Sequence, residues 1–236
     1  MATRYQIIST KDLPLATITA INDGWIAVTG SWSYASASTI TIPSDGTTVY
    51  QKGMPIRWKQ GGTYKYGNIA AIASTLMTIF VNTDFVVDNA AITDMYYSVS
   101  PTPFGFPTWF SRTTTGIMSG SGGSAGTYAQ TNAVATYRVF GASVIESVRL
   151  YITNVGSWSG DVRLAGVVTA SSAESPAPLG GGIWQIGAAP SGSKGMPYPN
   201  ASSAIINFVS QVAAANLQWS AVAANDDVYV RGEYRY

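Results

Sequence analysis

Hydrophobic and polar residues alternate with a period of two along most of the chain, which predicts β-strands rather than helices. In "STITIPSD" Ile40 and Ile42 alternate with threonines until the residues PSDG end the strand. In "GMPIRWKQGGTYKYGN" two alternating segments flank Gly61 and Gly62, the spacing of a hairpin with a two-residue turn. "STLMTIFVNTD" predicts a further strand. The pattern therefore predicts a small antiparallel barrel or sandwich over residues 21–98.

The second half of the chain repeats this alternation. "SVRLYITNVGSWSGDVRLAGVV" predicts a hairpin with Val148, Leu150 and Ile152 on one face and "NVGSWSG" at the turn. The segment "VYVRGEYRY" predicts a strand, with valines, Gly232 and tyrosines facing one way. "ASSAIINFVSQVAAANLQW" also fits a helix that begins after Ser202, but its Ile, Phe and Val content favours a strand. Many short strands with Gly- and Pro-rich turns are typical of a jelly-roll-like β-sandwich.

These patterns predict an all-β protein of two domains. We expect an N-terminal arm (residues 1–20), an N-terminal β domain (21–110), a Gly/Ser/Thr linker (111–127) and a C-terminal β domain (128–236). The predicted core of the N-terminal domain is Trp25, Ile40, Ile42, Ile56, Trp58 and Phe80. Two long Gly/Pro-rich runs, 171–182 and 189–200, are either ordinary surface loops or tip loops used in recognition. The tip-loop candidates are Trp184, Lys194 and Tyr198.

The amino-acid composition of the chain limits the kinds of partner that we expect it to bind. Charged residues make up 11% of the chain, against about 25% in an ordinary soluble domain. A surface with so little charge is typical of a protein that covers part of its area with neighbouring subunits, so we expect a homo-oligomer. The net charge is +1 and no basic run occurs, which argues against nucleic-acid binding. The first residues are interrupted by charges and do not form a secretory signal, and no stretch approaches the ~20 apolar residues of a membrane span.

The residues needed for common catalytic sites are missing. The chain has no cysteine and no histidine, which removes disulfides, Ser-His-Asp and Cys-His catalysis and the ordinary zinc sites. A glycosidase needs two carboxylates about 5 to 10 Å apart, but most acidic residues here stand beside turn residues. We therefore expect no enzyme, no cofactor and no metal site; "NDD" at 225–227 is at most a weak calcium signal. The candidate carboxylates are Asp84, Asp88, Asp94, Glu146, Asp161, Glu174, Asp226, Asp227 and Glu233.

An aromatic segment, "YYSVSPTPFGFPTWF" at residues 96–110, precedes the glycine-rich linker. Its three prolines make a helix very unfavourable, so its rings must pack from an extended chain. The segment either closes the end of the N-terminal domain or contacts another subunit. The interface candidates are Phe104, Phe106, Trp109 and Phe110, together with Tyr234 and Tyr236 near the other end of the sequence.

Three ordered motifs resemble a known module. "DGWIAVTGSWSYASASTITIPSD", "YQKGMPIRWKQGGTYKYGNIAAI" and "NAAITDMYYSVSPTPFGFP" resemble an N-terminal module of structural proteins from tailed bacteriophages and prophages. The resemblance covers residues 21–110. It implies a non-enzymatic virion protein of tail-fibre, tail-tip or capsid-decoration type, in which the aromatic segment closes the first domain.

The resemblance also carries expectations about partners and location. It implies assembly in the host cytoplasm, exposure on the virion surface, contact with other capsid or tail proteins and a homo-oligomer, most simply a trimer. The alternative function is a carbohydrate-binding adhesin or receptor-binding module, in which exposed Trp and Tyr rings bind a host-surface glycan.

Overall fold

The all-β class is confirmed by the structure, a computed structural model of the chain. It describes residues 23–80, 82–114, 118–122, 129–154, 159–165, 195–199, 205–210 and 226–236. From Gly24 onward, these ranges contain strands and loops but no helix. The predicted arm at residues 1–20 lies outside them. Within them, no helix has the length and apolar character to cross a membrane.

The described residues fall into two compact units. Unit 1 contains residues 23–79 and Phe85–Pro107, and unit 2 contains Phe80–Asp84 and the residues from Thr108 onward. The boundary therefore lies close to the predicted one at residue 110, but the chain enters unit 2 once earlier, at Phe80–Asp84. A prediction that divides the sequence into two continuous domains therefore misses the assignment of Phe80–Asp84 to unit 2.

Unit 1 is built on one seven-stranded antiparallel sheet. Its strands are β1 (Ile26–Ala27), β2 (Ser33–Ser36), β3 (Thr39–Thr41), β4 (Pro55–Gln60), β5 (Thr63–Ala73), β6 (Leu76–Ile79) and β7 (Thr93–Tyr97), in the spatial order β1-β7-β4-β5-β6-β3-β2. The predicted β4–β5 hairpin is confirmed, with Arg57 opposite Tyr66 and Gln60 opposite Thr63. Gly61 and Gly62 form its turn with φ of +58° and +82°, values that suit a type I′ turn.

The core of unit 1 follows the predicted alternation. Ile40, Ile42, Ile56 and Trp58 are at most 2% exposed and pack in one cluster, to which Ile69, Met77 and Ile79 are added from β5 and β6. Trp25 is also buried. The assignment of Phe80 to this core is wrong, because its ring packs in unit 2 against Tyr137 and Tyr236, with centroid distances of 6.0 and 4.9 Å.

Unit 2 contains two four-stranded antiparallel sheets. The first has the order β15-β11-β10-β8, where β8 is Phe110–Ser111, β10 is Ala129–Phe140, β11 is Ser143–Asn154 and β15 is Asp226–Arg235. The second has the order β13-β14-β12-β9, where β9 is Met118–Gly122, β12 is Ser159–Ala165, β13 is Gly195–Pro199 and β14 is Ile205–Ser210. The strand preferred over a helix at "AIINFV" is confirmed as β14. Two strands, β8 and β9, include residues of the predicted linker.

One predicted hairpin in unit 2 is wrong. Strand β11 pairs with β10 and β15, whereas β12 pairs with β9 and β14 in the other sheet. The alternation of Val148 and Leu150 correctly predicts a strand with one buried face, but alternation does not encode which strand lies beside it. The alternation of β15 is confirmed, since Val230, Gly232 and Tyr234 are buried while the residues between them are exposed.

Candidate interaction surfaces

The aromatic segment is packed into unit 1 as far as Pro107. The Phe106 ring lies 6.0 Å from the Trp25 ring and 6.3 Å from the Tyr66 ring, measured between centroids. Trp25 Nε1 donates a hydrogen bond of 2.8 Å to the carbonyl oxygen of Phe104. The expectation that this segment closes the first domain therefore agrees with the packing of Phe106, which is a partly buried internal contact.

Phe104 differs from its neighbours because its backbone is fixed while its ring is not covered. Its amide donates to the Asp23 carbonyl at 2.8 Å, and its carbonyl accepts from Trp25. The next residue, Gly105, has φ of +77° and turns the chain. The Phe104 side chain is nevertheless 81% exposed. The structure thus holds an apolar ring in water on a well-anchored loop.

A second feature of unit 1 is a guanidinium surrounded by rings, the Arg57 cluster (Trp25, Arg57, Tyr64 and Tyr96). Arg57 Cζ lies 4.7 Å from the Trp25 centroid, 4.9 Å from that of Tyr64 and 4.2 Å from that of Tyr96. Arg57 Nε is buried without a hydrogen-bond acceptor. Cation–π attraction therefore replaces ordinary hydrogen bonding at this nitrogen and ties β4 to β5 and β7.

Two of the predicted interface residues are core residues of unit 2. Phe110 is 1% exposed and stacks on Tyr137 at 5.6 Å between centroids. Tyr234 is 2% exposed, and its hydroxyl donates to the Glu146 carboxylate. Neither side chain has area left for a second subunit. Tyr236 is partly buried and donates from its hydroxyl to the Gly141 carbonyl at 3.2 Å.

The side of the β15-β11-β10-β8 sheet that points away from the buried residues is rich in arginine. We call it the arginine face. Since alternate residues of a strand share a face, the register places its members on one side of the sheet. Its members include Ser111, Thr136, Arg138, Ser147, Arg149, Tyr229, Arg231 and Arg235, with Trp109 beside them, and Val134, Phe140, Ser143, Ile145 and Glu233 lie on the same side. The opposite side carries the core residues Tyr137, Val148, Leu150, Val230 and Tyr234.

Two of these arginines lie over the indole ring of Trp109. Arg138 Cζ lies 5.3 Å and Arg231 Cζ 6.0 Å from the centroid of the indole ring. Further along the face, Arg149 Cζ lies 5.0 Å from the Tyr229 ring, which is 38% exposed. Cation–π contact holds the guanidinium groups in place, and for Arg138 and Arg231 no ion pair is found among the described residues. Trp109 is therefore an internal support of unit 2, and its partly exposed ring lies at a cationic surface.

The acidic residues considered for catalysis are mostly held in structural contacts. Asp84 accepts from the Ser111 amide, Asp88 pairs with Lys65 and Asp94 lies 3.4 Å from Lys59 Nζ. Glu146 is buried with Arg112 Nη1 at 3.0 Å. Asp161 is partly exposed and Glu233 is exposed. Glu174 and the side chains of Asp226 and Asp227 lie outside the described residues, although the backbone of both aspartates belongs to β15.

No group of three or more acidic residues that could hold a metal ion occurs among the described residues. Of the tip-loop candidates, Tyr198 is in strand β13 rather than in a loop, and its side chain is not described. Trp184 and Lys194 lie outside the described ranges.

Comparisons with protein-family models, with curated proteins and with solved structures find no match to this chain. The surfaces above therefore have to be interpreted from their own chemistry. The alternation in "VYVRGEYRY" was sufficient to place Tyr229, Arg231 and Arg235 on one face. It could not reveal Trp109, Arg138 and Arg149 on the same face, because their proximity depends on the pairing of strands distant in sequence.

Proposed function

We propose that the protein is a non-enzymatic structural component of a tailed-phage virion, of tail-fibre, tail-tip or capsid-decoration type. In this proposal unit 1 is a small barrel or sandwich that docks on the particle. Unit 2 is a jelly-roll-like sandwich that is presented at the surface. The resemblance of residues 21–110 supports the proposal, and so does the packing of Trp25, Ile40 and Trp58, residues of the resembling motifs, in the interior of unit 1.

The docking role rests on one observation, which is the exposure of Phe104. Phe104 is 81% exposed, and aromatic side chains are enriched among the residues that anchor protein interfaces. Because the Phe104 backbone is held by Asp23 and Trp25, little conformational entropy would be lost when the ring enters a partner's pocket. Val99, in the same segment, is 71% exposed. The proposed partner is another capsid or tail protein.

The decisive experiment uses purified particles of the phage or prophage that encodes the chain. Gold-labelled antibodies against the recombinant protein should mark particles at defined positions, and mass spectrometry should find the chain there in fixed stoichiometry. Particles assembled with Phe104→Ser should carry about tenfold less of the protein, as expected for an aromatic anchor. Val86→Ser, which changes a residue of unit 1 that is 42% exposed, serves as the control. Absence of the chain from gradient-purified particles would contradict the proposal.

We further propose that the protein assembles as a homotrimer. The basis is the low charge of the sequence, 11% charged residues against about 25% in an ordinary soluble domain, which is typical of a chain that covers part of its surface with neighbouring subunits. Sedimentation equilibrium of the recombinant chain should give a mass three times that of the 24.9 kDa monomer. A single monomeric species at high concentration is the result that argues against it.

A second candidate function, glycan binding, is favoured by one observation. The arginine face presents Trp109 and Tyr229 beside guanidinium groups on an exposed sheet surface, rather than in the loops where the tip-loop candidates were expected. This candidate is compatible with a virion location, because a surface component can also bind the host.

A further inference from the structure

We propose that the arginine face binds an acidic polysaccharide, whose carboxylate groups are held by Arg138 and Arg231 next to Trp109. The inference rests on the glycan-binding candidate above and adds the chemical class of the ligand and the residues that bind it. It does not depend on a virion location.

The first argument is the charge at Trp109. Two guanidinium groups are drawn toward one indole ring, although like charges repel. Glu233 is opposite Ile145 in the row that also contains Arg138, yet no ion pair of Arg138, Arg231 or Glu233 is found in the described part of the chain. The arrangement therefore has an unfilled position for an anion. Guanidinium groups fit a planar carboxylate through two parallel hydrogen bonds.

The second argument is the row of hydroxyl groups beside Trp109. Ser111, Thr136 and Ser147 are register partners on three adjacent strands, and the next residue in the row is Arg231. All three are partly exposed. Hydroxyl side chains both donate and accept hydrogen bonds, as the hydroxyl groups of a sugar do. The centre of the face therefore matches a ligand that carries both carboxylates and hydroxyls.

Other occupants fit the face less well. Protein interfaces have an apolar centre, whereas here the row of Ser111, Thr136, Ser147 and Arg231 is polar throughout, and the exposed Val134 and Phe140 lie in other rows. A symmetric contact between two copies would oppose the arginines of one copy to those of the other. Single-stranded nucleic acid needs open ring faces on which its bases stack, and guanidinium groups already lie over the rings of Trp109 and Tyr229.

The test measures binding of the full recombinant chain to immobilised polygalacturonate and alginate, with dextran as the neutral polymer and oligo-dT as the nucleic acid. Both uronate polymers should bind in preference to dextran and oligo-dT, with an affinity that falls as NaCl is raised. The Arg138→Gln/Arg231→Gln variant should bind about tenfold more weakly or worse, since hydrogen bonds between charged groups are strong. The Lys52→Gln/Lys59→Gln variant removes the same charge from unit 1 and should change the affinity less than about twofold.

Several results would overturn the proposal. These are failure of the wild type to bind either uronate polymer, equal binding to dextran, tighter binding to oligo-dT, and equal losses in the two double variants. Dissociation of an oligomer by Arg138→Gln/Arg231→Gln would instead identify the face as a subunit interface. Each assay uses the isolated chain, so failure here leaves the particle experiment unaffected, and absence from particles leaves this binding intact.

Discussion

Glu146 shows how one residue can organise the interior of unit 2. Its side chain is 2% exposed, and its carboxylate receives Arg112 on one oxygen and the Tyr234 hydroxyl on the other. These contacts join the residue after β8 to β11 and β15. A buried carboxylate is tolerated only when its hydrogen bonds and its charge are both satisfied, so the three side chains act as one unit.

Replacing Glu146 by Ala should therefore be severely destabilising. The change removes the carboxylate that pairs with the nearly buried Arg112 guanidinium and accepts the Tyr234 hydrogen bond, and we expect the free energy of unfolding to fall by about 3–5 kcal/mol. Urea denaturation followed by fluorescence measures the loss. The exposed Glu233→Ala is the control, with a change within about 0.5 kcal/mol. The double variant Arg112→Met/Glu146→Leu should lose less than Glu146→Ala alone, and an equal or larger loss would argue against this interpretation.

Tyr137 predicts how stability depends on pH. Burial raises the pKa of its hydroxyl above the ordinary value of 10.0. As the pH rises above 10.0, the unfolded chain releases this proton while the folded protein keeps it. The free energy of unfolding should therefore fall above pH 10.0, by up to about 1.4 kcal/mol per pH unit from this residue, and should be unaffected by it below pH 10.0.

Urea titrations between pH 8 and 11.5 test this expectation. Tyr137→Phe cannot ionise, so its stability should decline less steeply with pH than that of the wild type. Tyr229→Phe, which makes the same substitution at an exposed ring of unit 2, is the matched control. Identical slopes for Tyr137→Phe and the wild type would show that another group controls the alkaline transition.

At the scale of elements, the sequence predicts which residues form strands better than it predicts which strands pair. The β4–β5 hairpin was predictable because its turn, Gly61-Gly62, lies between two alternating segments and fixes their register locally. The β11–β12 hairpin was wrongly predicted because β11 instead pairs with β15, whose residues are about eighty positions away. No local signal records such a pairing, and the composition of the arginine face depends on it.

The β4–β5 turn supplies a test at this scale. A Cβ added at Gly61 or Gly62 meets no atom within 4 Å, so any cost of substitution comes from the positive φ alone. Gly61→Asn should change the free energy of unfolding by less than about 0.5 kcal/mol, because asparagine is favoured at this turn position. Gly62→Val should lose about 1–2 kcal/mol, since a β-branched residue is strained at positive φ. Equal thermal stabilities of the two variants would contradict the assignment of the turn.

At the scale of the whole molecule, Phe80 tests the division into units. It lies one residue beyond β6, yet its ring is 2% exposed in unit 2. Phe80→Ala should destabilise unit 2 by about 3–5 kcal/mol. Hydrogen-exchange mass spectrometry should then show lost protection in β10, β11 and β15 and retained protection in β4 and β5. Met77→Ala, in the core of unit 1, should give the opposite pattern. The same loss of protection in both units after either change would show that they unfold together.

The pairing of β11 with β15 also means that β11 is synthesised well before the strand with which it pairs. Tyr234 follows Glu146 by 88 residues, which a ribosome adds in roughly 4 to 18 seconds at typical rates of synthesis. During that interval β10 and β11 can form their hairpin, but the other edge of β11 and its apolar side remain open. Exposed strand edges of this kind promote association between nascent chains. Soluble yield should therefore depend on protecting β11 until β15 has been made, and a chaperone that holds the nascent chain over those seconds is expected to raise it.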